Sequence, residues 1–168
     1  DSKKLDLGKL LENIVSASRE VRRNKGIALS LTQAKLPQGA KGYFVTGHDL
    51  RLGQVITNLI ENARSFVPDP GGKVEIKLEQ AGEVIRILVE DNGPGIRAEE
   101  VDRIFERFYT DRPQGEAFGQ NSGLGLSISR QSIEAHNGTI IAENMTDAKT
   151  GNITGACFTV SLPVWRKA

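Results

Sequence analysis

Asn58 and Asn62 stand four residues apart in Thr57-Asn58-Leu59-Ile60-Glu61-Asn62-Ala63, a stretch with helical periodicity. That spacing sets both amides on one helix face and leaves the apolar stripe on the other. Paired amides can offer carbonyl oxygens to a hard cation and NH₂ groups to phosphate oxygens. Taken alone, such a pair also suits an ordinary solvated helix face. Asp91 is the second candidate; it follows the apolar run Ile85-Arg86-Ile87-Leu88-Val89 and opens the turn Asp91-Asn92-Gly93-Pro94-Gly95. A carboxylate at a strand end can accept a hydrogen bond from an exocyclic amine, and glycines let backbone approach a flat ring. Turn chemistry alone would explain the glycines and the proline, but not the acid. The third is Gly119-Gln120-Asn121-Ser122-Gly123-Leu124-Gly125-Leu126-Ser127-Ile128, where glycines lead into a helix. Its exposed N–H groups at the positive helix end would suit phosphate. It is neither a P-loop, which would need a lysine, nor a good dinucleotide fingerprint. Together the three are the parts of one nucleotide site.

Hydrophobic periodicity supplies the elements that must hold them. Asp6 reads as the N-cap of a helix to about Arg23, with Leu7, Leu10, Leu11, Ile14, Ser18 and Val21 at helical spacing. Strand-like runs follow at Ile27–Leu31 and Tyr43–Thr46. Asp49 then reads as the cap of a second helix, carrying Leu52, Val55, Ile56, Leu59, Ala63 and Phe66. Lys73–Leu78 and Val84–Val89 form a hairpin turning near Ala81-Gly82. Val101, Ile104, Phe105 and Phe108 suggest a short amphipathic helix, and Thr110–Ser122, which lacks periodicity, a mobile loop. A helix over Gly123–Ala135 stops at Asn137-Gly138, before closing strands at Thr139–Ala142 and Cys157–Leu162. The expected fold is an α/β two-layer sandwich: a mixed, mostly antiparallel sheet of about five strands, covered on one face by three helices.

Bulk properties narrow the classes. A chain of 168 residues with 38% hydrophobic and 26% charged residues suits one soluble domain. Lysine and arginine total 22 against 21 acidic residues, so overall charge offers no argument for nucleic acid or membrane. Cys157, the single cysteine, cannot form an internal disulfide and reads as a small core residue. His48 and His136 read as structural, without metal-ligand company.

The series resembles the ATP-binding catalytic domain of sensor histidine kinases, within the wider group of chaperone, gyrase and mismatch-repair ATPases that share the Bergerat fold. Asn58-Leu59-Ile60-Glu61-Asn62-Ala63 is similar to its N box, Asp91-Asn92-Gly93-Pro94-Gly95 to the G1 box, Phe105-Glu106-Arg107-Phe108-Tyr109 to the F box, and Ser122-Gly123-Leu124-Gly125-Leu126-Ser127-Ile128 to the G2 box. Glu134-Ala135-His136-Asn137-Gly138 and Gly155–Pro163 fit the family's usual ending. The likeness runs from about Leu7 to Pro163, and Phe108–Arg130 further resembles the alphaproteobacterial envelope and acid sensors of the ChvG/ExoS type.

The resemblance implies ATP and Mg²⁺ as cofactors. Asp91 would accept the adenine amino hydrogen, Phe66 would pack on the base, and Asn62 would hold Mg²⁺ with Asn58 helping at the phosphates. Nucleotide contacts also fall on Gly93, Gly95, Ile96, Tyr109, Ser122, Gly123, Leu124, Gly125 and Leu126, and a mobile ATP lid would span about residues 97–122. Three positions depart from the pattern. Ser65 stands where a basic residue is usual, with Arg64 beside it; Thr110 replaces an arginine, with Arg112 the nearest substitute; Asn121 replaces a glycine. Phe105 and Phe108 are either core residues of a lid helix or contacts for a partner helix bundle.

Hsp90-like ATPases place a glutamate where this chain has Asn58, and an amide cannot serve as base, so little hydrolysis by the chain alone is implied. No phosphoacceptor histidine in a helical hairpin is present. The implied partners are therefore a separate dimerisation bundle carrying that histidine and a response regulator downstream. The domain itself is expected to be monomeric and cytoplasmic, its parent anchored in the bacterial inner membrane. Residues 1–6 would be a linker remnant and 7–168 the catalytic domain. Alternatives are a nucleotide-sensing module that transfers nothing, an ATPase of the gyrase or mismatch-repair type, and an anti-sigma kinase.

Overall fold

Alternation builds the sheet. In the computed structural model, which describes residues 2–20, 26–107 and 125–167, strands β4 (Lys73–Ala81) and β5 (Val84–Asp91) turn Val74, Ile76, Leu78, Ile85, Ile87 and Val89 to one buried face. Glu75, Lys77, Glu79, Arg86 and Glu90 take the other face, where Lys77 pairs with Glu90 at 3.0 Å and Arg86 with Glu79 at 3.0 Å. Such half-exposed pairs contribute at most about 1 kcal/mol each. The expected turn is present, with Gly82 at φ 62°. Around this hairpin stand β2 (Ala28–Gln33), β6 (Thr139–Thr146) and β7 (Ile153–Pro163), in the order β2-β4-β5-β7-β6. β2 pairs parallel with β4 and the other neighbours are antiparallel. The mixed five-stranded sheet is as expected from the sequence.

Three helices cover its apolar face: α1 (Leu7–Glu20), α2 (Asp49–Phe66) and α3 (Gly125–Ala135). Leu7, Leu11 and Val15 of α1, the Leu52–Ala63 stripe of α2 and Ile133 of α3 meet the row Leu31–Ile76–Val89–Phe158–Ala142 and its neighbours. Burying each of the larger side chains among these contributes about 1.5–3 kcal/mol, which is why the periodicity was readable.

Several expectations are corrected. Residues 3–6, expected as part of a linker remnant, form a strand that the periodicity did not show, β1 (Lys3–Asp6), paired antiparallel with β3 (Phe44–Gly47). The Lys4 ammonium lies over the rings of Phe44 and Trp165, 4.3 and 4.1 Å from their centroids. Asp6 does cap α1, accepting from the Lys9 N–H at 3.1 Å. Asp49 does not cap α2. It is the helix's first residue and His48 is the cap, with no capping side-chain bond. Tyr43 lies outside β3, its hydroxyl donating to the Ala34 carbonyl. Val101–Phe105 is a run of turns after a short 3-10 helix at Ala98–Glu100, not an amphipathic helix. Cys157 is buried, yet it points away from the helices beside Thr159, while its neighbour Phe158 enters the core.

α3 stops at the expected Asn137-Gly138, with Asn137 in the left-handed region at φ 62°. The N–H groups of Gly138 and Asn137 return to the carbonyls of Ile133 and Glu134, at 2.9 and 3.0 Å, in a Schellman arrangement. His136 then ties the end of α3 to the start of α2. Its Nδ1–H donates to the Ser132 carbonyl at 2.7 Å, and its Nε2 accepts the His48 N–H at 3.1 Å. Both histidines are structural in this sense. His136→Ala removes the acceptor for a half-buried N–H and is expected to cost about 1–3 kcal/mol of stability. Urea unfolding checks it: an unmoved midpoint would show the tie contributes nothing.

Candidate functional site

Asp91 occupies a core position. Leu29, Val74 and Asp91 are consecutive partners across β2, β4 and β5, in the row next to the one that holds Val89. Period two therefore turns this carboxylate toward the helix layer, and it is only 6% exposed. Its Oδ1 accepts the Gly93 N–H at 2.9 Å and the Ala156 N–H at 3.3 Å. Among the described residues no donor meets Oδ2. Burial pushes the carboxyl above the ordinary aspartate range, and the two N–H groups pull it partly back. Close packing holds the turn that follows. A Cβ on Gly155 would fall 1.8 Å from the Asp91 carbonyl oxygen, and one on Gly93 would fall 2.9 Å from the carbonyl oxygen of Phe66. Asn92 faces outward and staples the turn to the loop after α2, accepting the Lys73 N–H at 2.7 Å and donating to the Gly71 carbonyl at 3.0 Å.

The contact with Phe66 links this turn to the asparagines. Asn58, Asn62 and Phe66 are spaced four apart on α2, so they form one row of about 12 Å. That row ends where Phe66 backs onto Gly93. All three side chains are half-buried, along the flank of a helix whose opposite stripe fills the core. Among the described residues neither asparagine amide is committed to a hydrogen bond; Asn62 offers only its main-chain carbonyl, to the Ser65 hydroxyl at 2.6 Å. An uncommitted amide oxygen fits a hard cation that keeps waters and phosphate oxygens as its remaining ligands.

α3 completes the arrangement. It packs on α2 and its end touches the start of α2 through His136 and His48, so the helices run in opposite directions. Eleven residues back from His136, about 16 Å of helix, Gly125 comes level with the Asn58–Asn62 turns. The first described residues of α3 thus lie beside the asparagine row. Gly125 and Leu126 are half-buried there.

Arg64 belongs elsewhere. Two positions on from Asn62, it turns to the far side of α2, where its Nη2 donates to the Ser18 carbonyl of α1 at 2.8 Å and it is 7% exposed. Burial and that bond commit it to the α1–α2 seam rather than to phosphate. Ser65 likewise bonds back into its own helix. Phe105 is half-buried, edge-on to Phe158 with ring centroids 6.0 Å apart and the Arg130 guanidinium 5.9 Å from its ring. Phe108, Tyr109, Arg112, Ser122, Gly123 and Leu124 lie outside the described residues. Gly95, at φ 83°, and Ile96 continue the Asp91 turn, and Asn144 of β6 holds Ile96 by both backbone groups.

Comparison with known proteins decides the family. Residues 47–166 match the model of the histidine kinase-, DNA gyrase B-, and HSP90-like ATPases. The chain belongs to that family. It is a histidine kinase catalytic ATPase domain, as its relatives show: it is 55% identical over 164 residues to the sensor protein ChvG of Rhizobium meliloti (strain 1021), covering 97% of this chain and 28% of that protein. The chain thus spans little more than a quarter of that curated relative. Among solved structures, a mycobacterial sensor histidine kinase, MprB, superposes with a TM-score of 0.79 at 26% identity, covering 99% of this chain and 100% of the other. The histidine kinase ThkA in complex with the response regulator protein TrrA superposes at 0.74 and 26% identity, covering 98% of this chain and 42% of that one. The ChvG-type resemblance of the sequence is therefore sound.

Sequence reasoning on this ATPase domain missed Asn144, the backing by Gly155 and both backbone donors to Asp91. Asn144 lies past the expected end of its strand, and no spacing links it to a turn 48 residues away. One signal was available for Asp91: a carboxylate in phase with Ile85, Ile87 and Val89 must be buried.

Proposed function

We propose that this domain binds Mg·ATP and donates its γ-phosphate to a histidine on a separate dimerisation bundle, from which it passes to an aspartate of a response regulator. The observation that carries the reading is Asp91: a buried carboxylate with one oxygen held by two backbone donors and the other left to accept an amine. Adenine would reach it with its N6–H, a donor that guanine lacks at that position, and Phe66 would flank the base. The phosphates would then run along the asparagine row toward the start of α3. Asn62 would hold Mg²⁺ and Asn58 the phosphate oxygens. When bound, the ion neutralises charge on the transferring phosphoryl group.

What the chain itself does is position and neutralise. Asn58 is an amide and cannot activate water, so transfer rather than hydrolysis is the favoured outcome. Gly123, Ser122, Leu124, Tyr109 and Arg112 remain assigned to the site by resemblance, with Arg112 the nearest basic group for the γ-phosphate; Phe108 is kept as a contact for the bundle. The ThkA–TrrA complex is a precedent for a regulator partner. Among the described residues no helix is long and apolar enough to cross a membrane. A membrane-anchored parent is part of the proposal.

The deciding experiment is single-turnover transfer of labelled γ-phosphate from Mg·ATP to the phosphoacceptor bundle of a ChvG protein, alongside calorimetric titration with Mg·ATP. Binding and transfer are both expected. Binding without transfer would favour the nucleotide-sensing alternative, and absence of binding would sink the reading.

A further inference from the structure

The turn that follows Asp91 is gripped from both sides. α2 backs onto it through Phe66, and the β6–β7 hairpin backs onto it from the other side. Ala156 N–H reaches the Asp91 carboxylate at 3.3 Å, and Gly155 lies against the Asp91 carbonyl. Further along, a Cβ on Gly95 would fall 2.5 Å from Ile153 and 2.7 Å from the Asn144 amide oxygen. Asn144 itself makes a two-point clamp. Its Oδ1 accepts the Ile96 N–H at 2.6 Å and its Nδ2–H donates to the Ile96 carbonyl at 2.7 Å. An amide side chain here does what an adjacent strand would do, although β6 is not a sheet neighbour of β5. The strand pairing of β6 and β7 shifts register immediately after it, between Met145 and Thr146.

We propose that Asn144 is a positioning residue for base recognition. This deepens the ATP-binding reading and rests on it. Gly93-Pro94-Gly95 has little side-chain packing of its own, and Gly95 sits in backbone space that favours glycine. Asn144 fixes the exit of that turn, as Gly93 N–H and Phe66 fix its entry. The aim of the free Asp91 oxygen and the edge-on approach of Gly95 are then set before nucleotide arrives. Without the clamp, binding must order the turn and the affinity falls by that amount.

The test compares the full chain with Asn144→Ala and Asn144→Asp. ATP and GTP are competed against a fluorescent nucleotide, the Ile96 amide exchange is followed by NMR, and the urea midpoint is recorded. Wild type should prefer ATP. Asn144→Ala should exchange faster at Ile96 and lose about tenfold of the ATP-over-GTP preference, the equivalent of losing one or two hydrogen bonds. Asn144→Asp keeps the volume and the acceptor for Ile96 N–H but sets a carboxylate against the Ile96 carbonyl. It should therefore lose preference too, and it carries the test if the alanine variant fails to fold. A preference equal to wild type in a folded variant overturns the proposal, even if the midpoint has dropped, because the amide would then be structural only. A wild-type chain that shows no preference for ATP overturns the reading beneath it, a separate and distinguishable failure.

Discussion

Asn62→Ala is expected to abolish phosphoryl transfer, by about a thousandfold in single-turnover rate, while leaving the fold intact. The side chain is half-buried on the flank of α2, its amide is committed to no hydrogen bond among the described residues, and the apolar stripe on the opposite side carries the packing. Truncation therefore removes a ligand without opening the core, and the unfolding free energy from urea titration should change by less than about 0.5 kcal/mol. The charge on the transferring phosphoryl group would go unneutralised, so the loss should appear in the rate at saturating ATP and not only in affinity. Asn62→Asp keeps an oxygen at the same place and should retain part of the rate with Mg²⁺ present. Transfer by Asn62→Ala at the wild-type rate would remove the metal from this residue and move the search to Asn58.

The layers and the sheet were legible because burial imposes periods of two and three to four on the chain, and Lys73–Ala81, Val84–Asp91 and Asp49–Phe66 each obey them. Short or half-exposed elements were not. β1 has no apolar alternation; it exists because Phe44–Gly47 supplies a partner and two aromatic rings receive Lys4. Arg64 shows a different limit. Its proximity to Asn62 in sequence suggested a phosphate contact, but adjacent helical positions diverge by about 100° and two steps place a residue on the opposite side. Conversely, the row Asn58–Asn62–Phe66 meets the Asp91 turn where Phe66 backs onto Gly93, a contact between segments that no local pattern encodes. The motif order located the site's parts, and the packing of α2 against β5 and α3 brought them together.

Asp91→Asn should separate stability from binding by moving them in opposite directions. The two side chains have the same shape, and the amide oxygen can keep the bonds from Gly93 and Ala156 N–H. Those two donors also forbid the flipped amide, so the NH₂ group must take the place of the free carboxylate oxygen. It then confronts the adenine amine donor to donor. ATP affinity should fall about a hundredfold or more, the cost of a lost charge-assisted bond plus an unsatisfied buried group. Stability has the reverse sign. Because burial raises the folded carboxyl above its unfolded value, protonated Asp91 favours the fold below the ordinary aspartate range, and that support is withdrawn as pH rises through the raised folded value. At neutral pH the wild type therefore bears a buried charge that the amide variant lacks. The variant's urea midpoint should equal or exceed wild type there, and the advantage should vanish on acidification. Calorimetry with Mg·ATP and urea unfolding at neutral and acidic pH test the pair of claims. A variant that is less stable at neutral pH yet binds ATP normally would make Asp91 a brace for its turn and remove adenine from it. Loss of binding with stability held or gained leaves recognition as the reason a carboxylate stands in a row otherwise filled by Leu29 and Val74.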